Sequence, residues 1–313
     1  TGDFDAGSST VTLRGDVTNN GNYSTDGITI FTGNQIQVIQ LNNAINSSAT
    51  GVVNFNGTVA PEFNSTAAPV LATVNINNTA AIVPSQPWTV LVAMNISSGS
   101  TFNGGPLNHR FSGNFNNAGI YNSSGTTTFN PSGSVNVVLG NNFNSTGVVD
   151  FGGTGTLNLT DNTPTFHSVN ITNTNAVGVT AGSDWIVTQD LFIGPGAEFH
   201  GGSGTTHTIS GGWTNNGVFS GGTSAVVFNS STGFDEIGGI GINNFNDITF
   251  ASGAQFGIVT DIAVAGNLTN DATSLSLVNG EVTFNGSGLS VIGGASVCSF
   301  GDLVIDKSAA TVR

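Results

Sequence analysis

Basic residues are nearly absent from this chain: Arg14, Arg110, Lys307 and Arg313 stand against 18 Asp plus Glu, for a net charge of -14 over 313 residues. Nucleic acid and anionic membranes are gripped by Lys and Arg, so neither is an expected partner. Charged residues of both signs make up only 7%. That excludes an acidic disordered tail and leaves solubility to Asn, Ser, Thr and Gly. Cysteine is reduced to Cys298, in SVCSF, so no internal disulfide forms. Its expected place is the core, as a small apolar residue between Val297 and Ser299. No apolar run reaches the roughly 18 residues that a membrane-spanning helix needs, and no amphipathic helical stretch stands out.

What is present is glycine, 45 residues of it, interleaved with Val, Ile and Phe in short alternating runs such as TVTL, ITIF, VVNF and SAVVF. This is strand and turn composition, and the chain is expected to be all-β. The runs repeat. Leu13–Gly33 returns at Phe111–Pro131 with no gap, so that Gly15, Asn19, Gly21, Tyr23, Gly27, Thr29 and Phe31 fall on residues 98 positions later. A looser third copy puts Trp213, Asn215, Gly217 and Phe219 a further 98 positions on from Phe115, Asn117, Gly119 and Tyr121.

Two other units keep the same step. Trp88, Val90, Met94, Ile96, Gly99, Phe102, Gly104 and Gly105 reappear 97 positions later as Trp185, Val187, Leu191, Ile193, Gly196, Phe199, Gly201 and Gly202. A fainter echo has DIAVAGNL from Asp261 matching DWIVTQDL from Asp184. The other unit opens on Val-x-Phe at Val53/Phe55, Val149/Phe151, Val226/Phe228 and Val282/Phe284. It closes on Leu71/Val74/Ile76, Phe166/Val169/Ile171, Phe245/Ile248/Phe250 and Phe300/Leu303/Ile305. Period-2 spacing puts the named apolar residues on one face of each strand.

Smaller steps subdivide the superrepeat of about 97 residues: Phe129 to Phe151 is 22, Phe151 to Ile171 is 20, and Ile171 to Phe192 is 21. A coil near 20 residues fits three short strands and three turns, the rung of a single-stranded parallel β-helix. One continuous β-solenoid over residues 1–313 is expected, with superrepeat copies at about 13–110, 111–208 and 209–313. Roughly fifteen rungs at about 4.8 Å would give a rod of about 70 Å. A lone rung cannot bury its Phe, Val and Ile, so it stacks on its neighbours, placing Phe over Phe and Asn over Asn. Asn-Gly pairs such as Asn20-Gly21, Asn103-Gly104 and Asn216-Gly217 suit the corners. An antiparallel sandwich or barrel would use the same pairs as hairpin turns and is the alternative fold. In the β-helix reading Tyr23 and Phe31 stack inside, and the stretch between Val17 and Tyr23 is a corner.

Gly217–Phe250 and Val282–Ile305, with their Gly-x-Phe-x-Gly-Gly run, Val-x-Phe strand and closing Phe-anchored strand, resemble the repeats of large secreted surface proteins of the Bacteroidetes. More generally the pattern is similar to the filamentous-haemagglutinin type of adhesin shaft. The resemblance implies a cell-surface or extracellular filament or adhesin, exported by type IX secretion. A repeat already running at Gly2 and closing just after a strand gives the further expectation of a piece of a longer chain or of head-to-tail polymerisation.

Side chains for chemistry are few. Enzymes on β-helices need clustered carboxylates beside a cation, yet Arg14 and Arg110 occupy different repeat positions without an obvious acidic cluster. Glycoside hydrolysis needs two carboxylates across a cleft, for which Asp184/Asp190, Asp235/Glu236 and Asp302/Asp306 are the nominees. Solvated strand-edge acids are the plainer reading. His109 and His207 are 98 apart, which suggests a duplicated turn position, and with His167 and His200 they give no zinc pattern. Gly238–Asn243, GGIGIN, resembles half a calcium-binding nonapeptide, but Asn243 stands where Asp is needed, so a corner is the better account. Asn-x-Ser/Thr sequons number thirteen, close to the chance expectation for 40 Asn and 71 Ser plus Thr.

No catalytic, cofactor or metal residue is therefore expected, with isolated Ca2+ on acidic loops the open alternative. The expected role is a non-enzymatic extracellular shaft, whose partners are further repeats or copies of itself end to end, and surface glycans. The alternative is a carbohydrate-binding or carbohydrate-degrading β-helix in which Trp88, Trp185 and Trp213 leave the core to line a groove.

Overall fold

The structure, a computed structural model, describes residues 3–42, 50–160, 162–230, 233–308 and 311–313, and the backbone of residues 45–47. Among these there is no helix. Short strands stack in parallel as a β-solenoid of about 14 turns, successive turns lying about 21 residues apart. The expected parallel β-helix is thus the observed one, and the hairpin alternative falls. A typical turn carries three strands, as in Leu191–Ile193, Glu198–His200 and Thr206–Ile209, followed by Trp213–Asn215, Val218–Ser220 and Ala225–Phe228. The turn length varies because the corners vary. In register, Phe111 and Phe129 are 18 residues apart, whereas Phe31 and Phe55 are 24 apart.

The chain falls into two compact units, one of Thr1–Asp150 with Leu157–Asp161, the other of Phe151–Thr156 with Asn162–Arg313. In the first, Tyr23 and Phe31 are buried as expected. Phe31 stacks on Phe55 at 5.3 Å, Phe55 on Trp88 at 5.6 Å, and Tyr121 on Phe143 at 4.9 Å. Such pairs add about 0.5–1.5 kcal/mol each beyond the area they bury. Outside, asparagines lie over asparagines: Asn75 donates to Asn54 at 2.7 Å and Asn95 to Asn75 at 2.8 Å. Val17–Asn19 is a strand, paired with Val38–Leu41 and through it with Glu62–Phe63 in a small parallel sheet. The corner is therefore shorter than expected, residues 20–22, and Asn19 braces it by donating to the Gly21 carbonyl at 2.9 Å.

In the second unit Trp185 is sandwiched between Phe151 at 5.4 Å and Phe199 at 5.1 Å, and Phe228 stacks on Phe250 at 5.5 Å. Register corrects one step of the sequence reading. Ile171 lies against Ile193, and Phe192 lies against Asn170 on the outer side. A 22-residue step keeps β-branched residues inside, where the pleat demands the same parity.

The opening and closing residues of the Val-x-Phe units are buried in the first three copies. The fourth differs. Leu303 and Ile305 sit over Val282 and Phe284 in register, yet are 42% and 50% exposed, since no described rung covers their other side. Cys298, expected in the core, is only half-buried, in the loop before the strand Phe300–Ile305; burial pushes its thiol pKa up.

Candidate functional site

The first nominated pair, Asp184 and Asp190, has a structural occupation. Asp184 accepts the backbone N–H of Thr206 at 2.7 Å, and Asp190 accepts that of Gly212 at 2.8 Å. Asp261 and Asn267 do the same to Glu281 at 2.9 Å and Val291 at 3.0 Å. Asn108 and Asn114 hold Thr126 at 2.8 Å and Asn136 at 2.9 Å. Each is an Asx-x5-Asx pair. The first member sits just before a strand, and both members reach forward to the next rung, where a backbone donor at the corner would otherwise face water. The echo between DWIVTQDL and DIAVAGNL is this device. Asp3, Asp16, Asp247 and Asp271 act singly in the same way, on Asn22, Val38, Asn267 and Ala295.

The other acid nominees do not form a cleft pair. Asp235 and Glu236 are successive on the strand Asp235–Gly238, so their side chains leave opposite faces. Asp302 and Asp306 are four residues apart along an extended segment, about 13 Å, beyond the spacing that flanks one glycosidic bond. Among the described residues no three of His, Cys, Asp and Glu gather as a metal would require. The contact between His200 Nε2 and Glu198 Oε1, at 3.4 Å, is partly exposed, and His167 is exposed.

Arg14 lines an open groove of about 280 Å³ with Thr32, Asn34, Asn56 and Thr58, and no carboxylate shares it. Arg110 is exposed on the strand His109–Phe111. An apolar groove of about 490 Å³ runs along Ile36, Val59, Pro61, Phe63 and Val83, with Glu62 its one acid.

The three indoles are buried. Trp88 packs on Phe55 and Phe102, Trp185 is sealed in its sandwich, and Trp213 donates through Nε1 to Asn243 Oδ1 at 2.9 Å. Trp88 borders a small cavity of about 20 Å³ with Phe31, Phe63 and Gln86, and none of the three indoles is exposed as the groove reading expects. Asn243 itself, the residue in the calcium-like GGIGIN, points into the core. It also accepts from Asn215 Nδ2 at 3.0 Å, and Gly239 with φ +102 turns the corner before it.

Asn215 is the third copy of Asn19 and Asn117, and all three brace corners. Asn215 donates to the Ile242 carbonyl at 2.8 Å and accepts the Gly217 N–H at 2.8 Å; Asn117 donates to the Leu139 carbonyl at 2.8 Å. Tyr23 and Tyr121 are likewise copies, each bonded through its hydroxyl to a buried threonine, Thr29 at 2.6 Å and Thr127 at 2.8 Å. Burial pushes the pKa of both phenols up. The sequon asparagines are outward-facing, and Asn77, Asn95, Asn144 and Asn158 donate to the asparagine one rung below. Asn46 lies where only the backbone is described.

His109 and His207 correct the sequence reading. They are on strands, not turns, and each is 1% exposed. His109 Nδ1 accepts the Trp88 N–H at 3.0 Å while Nε2 meets the Gly104 carbonyl at 3.2 Å. His207 Nδ1 accepts the Trp185 N–H at 3.2 Å while Nε2 meets the Gly201 carbonyl at 2.6 Å. The signal was parity: each histidine lies two residues before a buried apolar residue, Phe111 or Ile209, and so shares its face. Desolvation lowers the His109 pKa to about 4 and lowers that of His207, against the pull of the glycine carbonyls and, for His207, of Asp184.

Comparison with known protein families, with curated proteins and with solved structures found no match to this chain.

Proposed function

We propose that the chain is a non-enzymatic structural segment of an extracellular adhesin or cell-surface filament, acting as a rigid repeat shaft. The observation that carries this reading is the engagement of its paired Asx side chains: Asp184, Asp190, Asp261 and Asn267 each tie one rung to the next. Stability then accrues from nearest-neighbour stacking. A coil held this way works by geometry, keeping what lies beyond it at a distance.

Electron microscopy and native mass of the purified protein test the proposal, together with a panel of neutral and acidic polysaccharides. Straight particles without hydrolase or lyase activity are expected. Cleavage of any polysaccharide that is abolished by one acidic substitution would overturn it.

A second reading, binding to surface glycans, draws on the outward columns Asn54/Asn75/Asn95 and Asn114/Asn136/Asn158. Their amides keep hydrogen-bonding capacity beyond the rung-to-rung bonds. A glycan array on the purified chain decides it, since an empty array removes this reading and leaves the shaft.

A further inference from the structure

Two imidazoles are enclosed in the coil at positions 98 residues apart, and the shaft reading gives them no task. Their setting is the same. In each, one nitrogen accepts the backbone N–H of a buried tryptophan on the preceding rung, and the other reaches the carbonyl of a glycine five or six residues earlier in the chain. The acceptor role of Nδ1 fixes the neutral tautomer with the proton on Nε2. Each imidazole therefore ties the rung below to the loop that leads into its own strand, Gly104 in one case and Gly201 in the other.

We infer that His109 and His207 are acid-release latches: a proton added at Nδ1 sets a donor against the Trp88 or Trp185 N–H, and the coil opens locally at those two rungs. The environment offers a protonated ring little help. Around His109 pack Trp88 and Phe102, with Thr127 opposite in register and the Tyr121 hydroxyl bonded to that threonine; Arg110 is the exposed neighbour on the same strand. Around His207 pack Trp185 and Phe199, with Val226 opposite and Thr205 Oγ1 at 3.2 Å from Nε2. Asp184 acts on His207 and favours its charged form, while Glu198 and His200 flank Phe199 on the outer side of their strand.

The sign follows from linkage. The folded-state pKa lies below that of an unfolded histidine, so the latch holds above about pH 6.5 and weakens as the pH falls toward the folded value. For His109, lowered to about 4, the local opening constant rises about 100-fold between pH 7 and pH 4.

Hydrogen exchange on the intact chain, corrected for intrinsic rates, tests this at pH 7, 5.5 and 4. Protection should fall at Trp88 and Trp185 and along residues 99–111 and 196–209, while the strands Asp247–Phe250 and Ile262–Val264, further along the coil, stay protected. His109→Gln and His207→Gln should each flatten the response at their own rung and leave the other unchanged. Imidazole nitrogen spectra of the wild-type protein should show the Nε2–H tautomer for both buried rings at pH 7, with the exposed His167 as reference. Protection at Trp88 and Trp185 that stays level down to pH 4, or an Nδ1–H tautomer, overturns the inference even where a variant fails to fold. A glutamine variant that folds and keeps the full pH response also overturns it.

Discussion

Replacing Asn215 by leucine removes the bracing bonds without leaving a cavity, because the two side chains share heavy-atom number and branching; the bulkier methyls add some crowding to the cost. The side chain is fully buried and makes three bonds: it donates to Ile242 O at 2.8 Å and Asn243 Oδ1 at 3.0 Å, and accepts from Gly217 N at 2.8 Å. Asn243 Oδ1 keeps the Trp213 indole N–H as a partner. The Ile242 carbonyl keeps its ladder partner on the strand Val218–Ser220, so the Gly217 N–H is the group left without one. A buried group stripped of its hydrogen bond costs about 1–3 kcal/mol, which puts the loss near 2 kcal/mol. Asn75→Ala is the contrast. It also makes side-chain bonds in a column, but it is half-exposed and water replaces them, so it should cost less than about 1 kcal/mol. Urea unfolding followed by far-ultraviolet circular dichroism and tryptophan fluorescence gives both values from the midpoint shift. An Asn215→Leu protein within about 1 kcal/mol of wild type, or one more stable than Asn75→Ala, would show that the corner asparagines are not braces.

Tyr121→Phe removes the hydroxyl bonded to buried Thr127 and should lower stability by about 1–2 kcal/mol; a Tyr121→Phe/Thr127→Val double variant should recover part of that loss in the same urea assay. Gly239→Ala should leave no folded protein in soluble expression, since the residue has φ +102 and a Cβ would lie 2.0 Å from the Asn215 carbonyl oxygen. Gly99→Ala, at φ +79 with open space around it, should fold and lose about 1 kcal/mol by thermal melting. Asp190→Asn should change stability by less than about 0.5 kcal/mol, because an amide oxygen accepts the Gly212 N–H as Asn267 accepts Val291. Asp190→Ala should cost about 1 kcal/mol, and equal losses in the two variants would count against the rung-to-rung role.

Much of the coil was legible because burial enforces parity. Phe31, Phe55, Trp88, Trp185 and Phe228 repeat at fixed steps and alternate with polar residues, and those residues form the stacks. Corners were less legible. Val17–Asn19 carries turn-rich letters yet pairs as a strand, because its neighbours Val38–Leu41 supply the partner that composition does not reveal. Phe192 drew the register one residue short, since an aromatic on the outer side looks like a core residue until the adjacent rung is placed. His109 and His207 were misread for the opposite reason: a polar letter inside a short run hides the alternation it belongs to. The Asx-x5-Asx pairs were the least legible, because Asp184 and Thr206 meet only after the whole intervening rung is wound.

The unequal rungs carry a consequence for change in length. Faces are held in register by stacked rings and asparagine columns, whereas the loops between them absorb spacings from 18 to 24 residues without moving those faces. Added residues therefore have a natural home at a corner, and a foreign peptide spliced between two faces would be carried outward with its neighbours undisturbed. Splicing an odd number of residues into the middle of Ala225–Phe228 would invert every side chain downstream on that strand. The molecule thus has its own grammar of insertion: whole rungs or corner residues, and nothing in between.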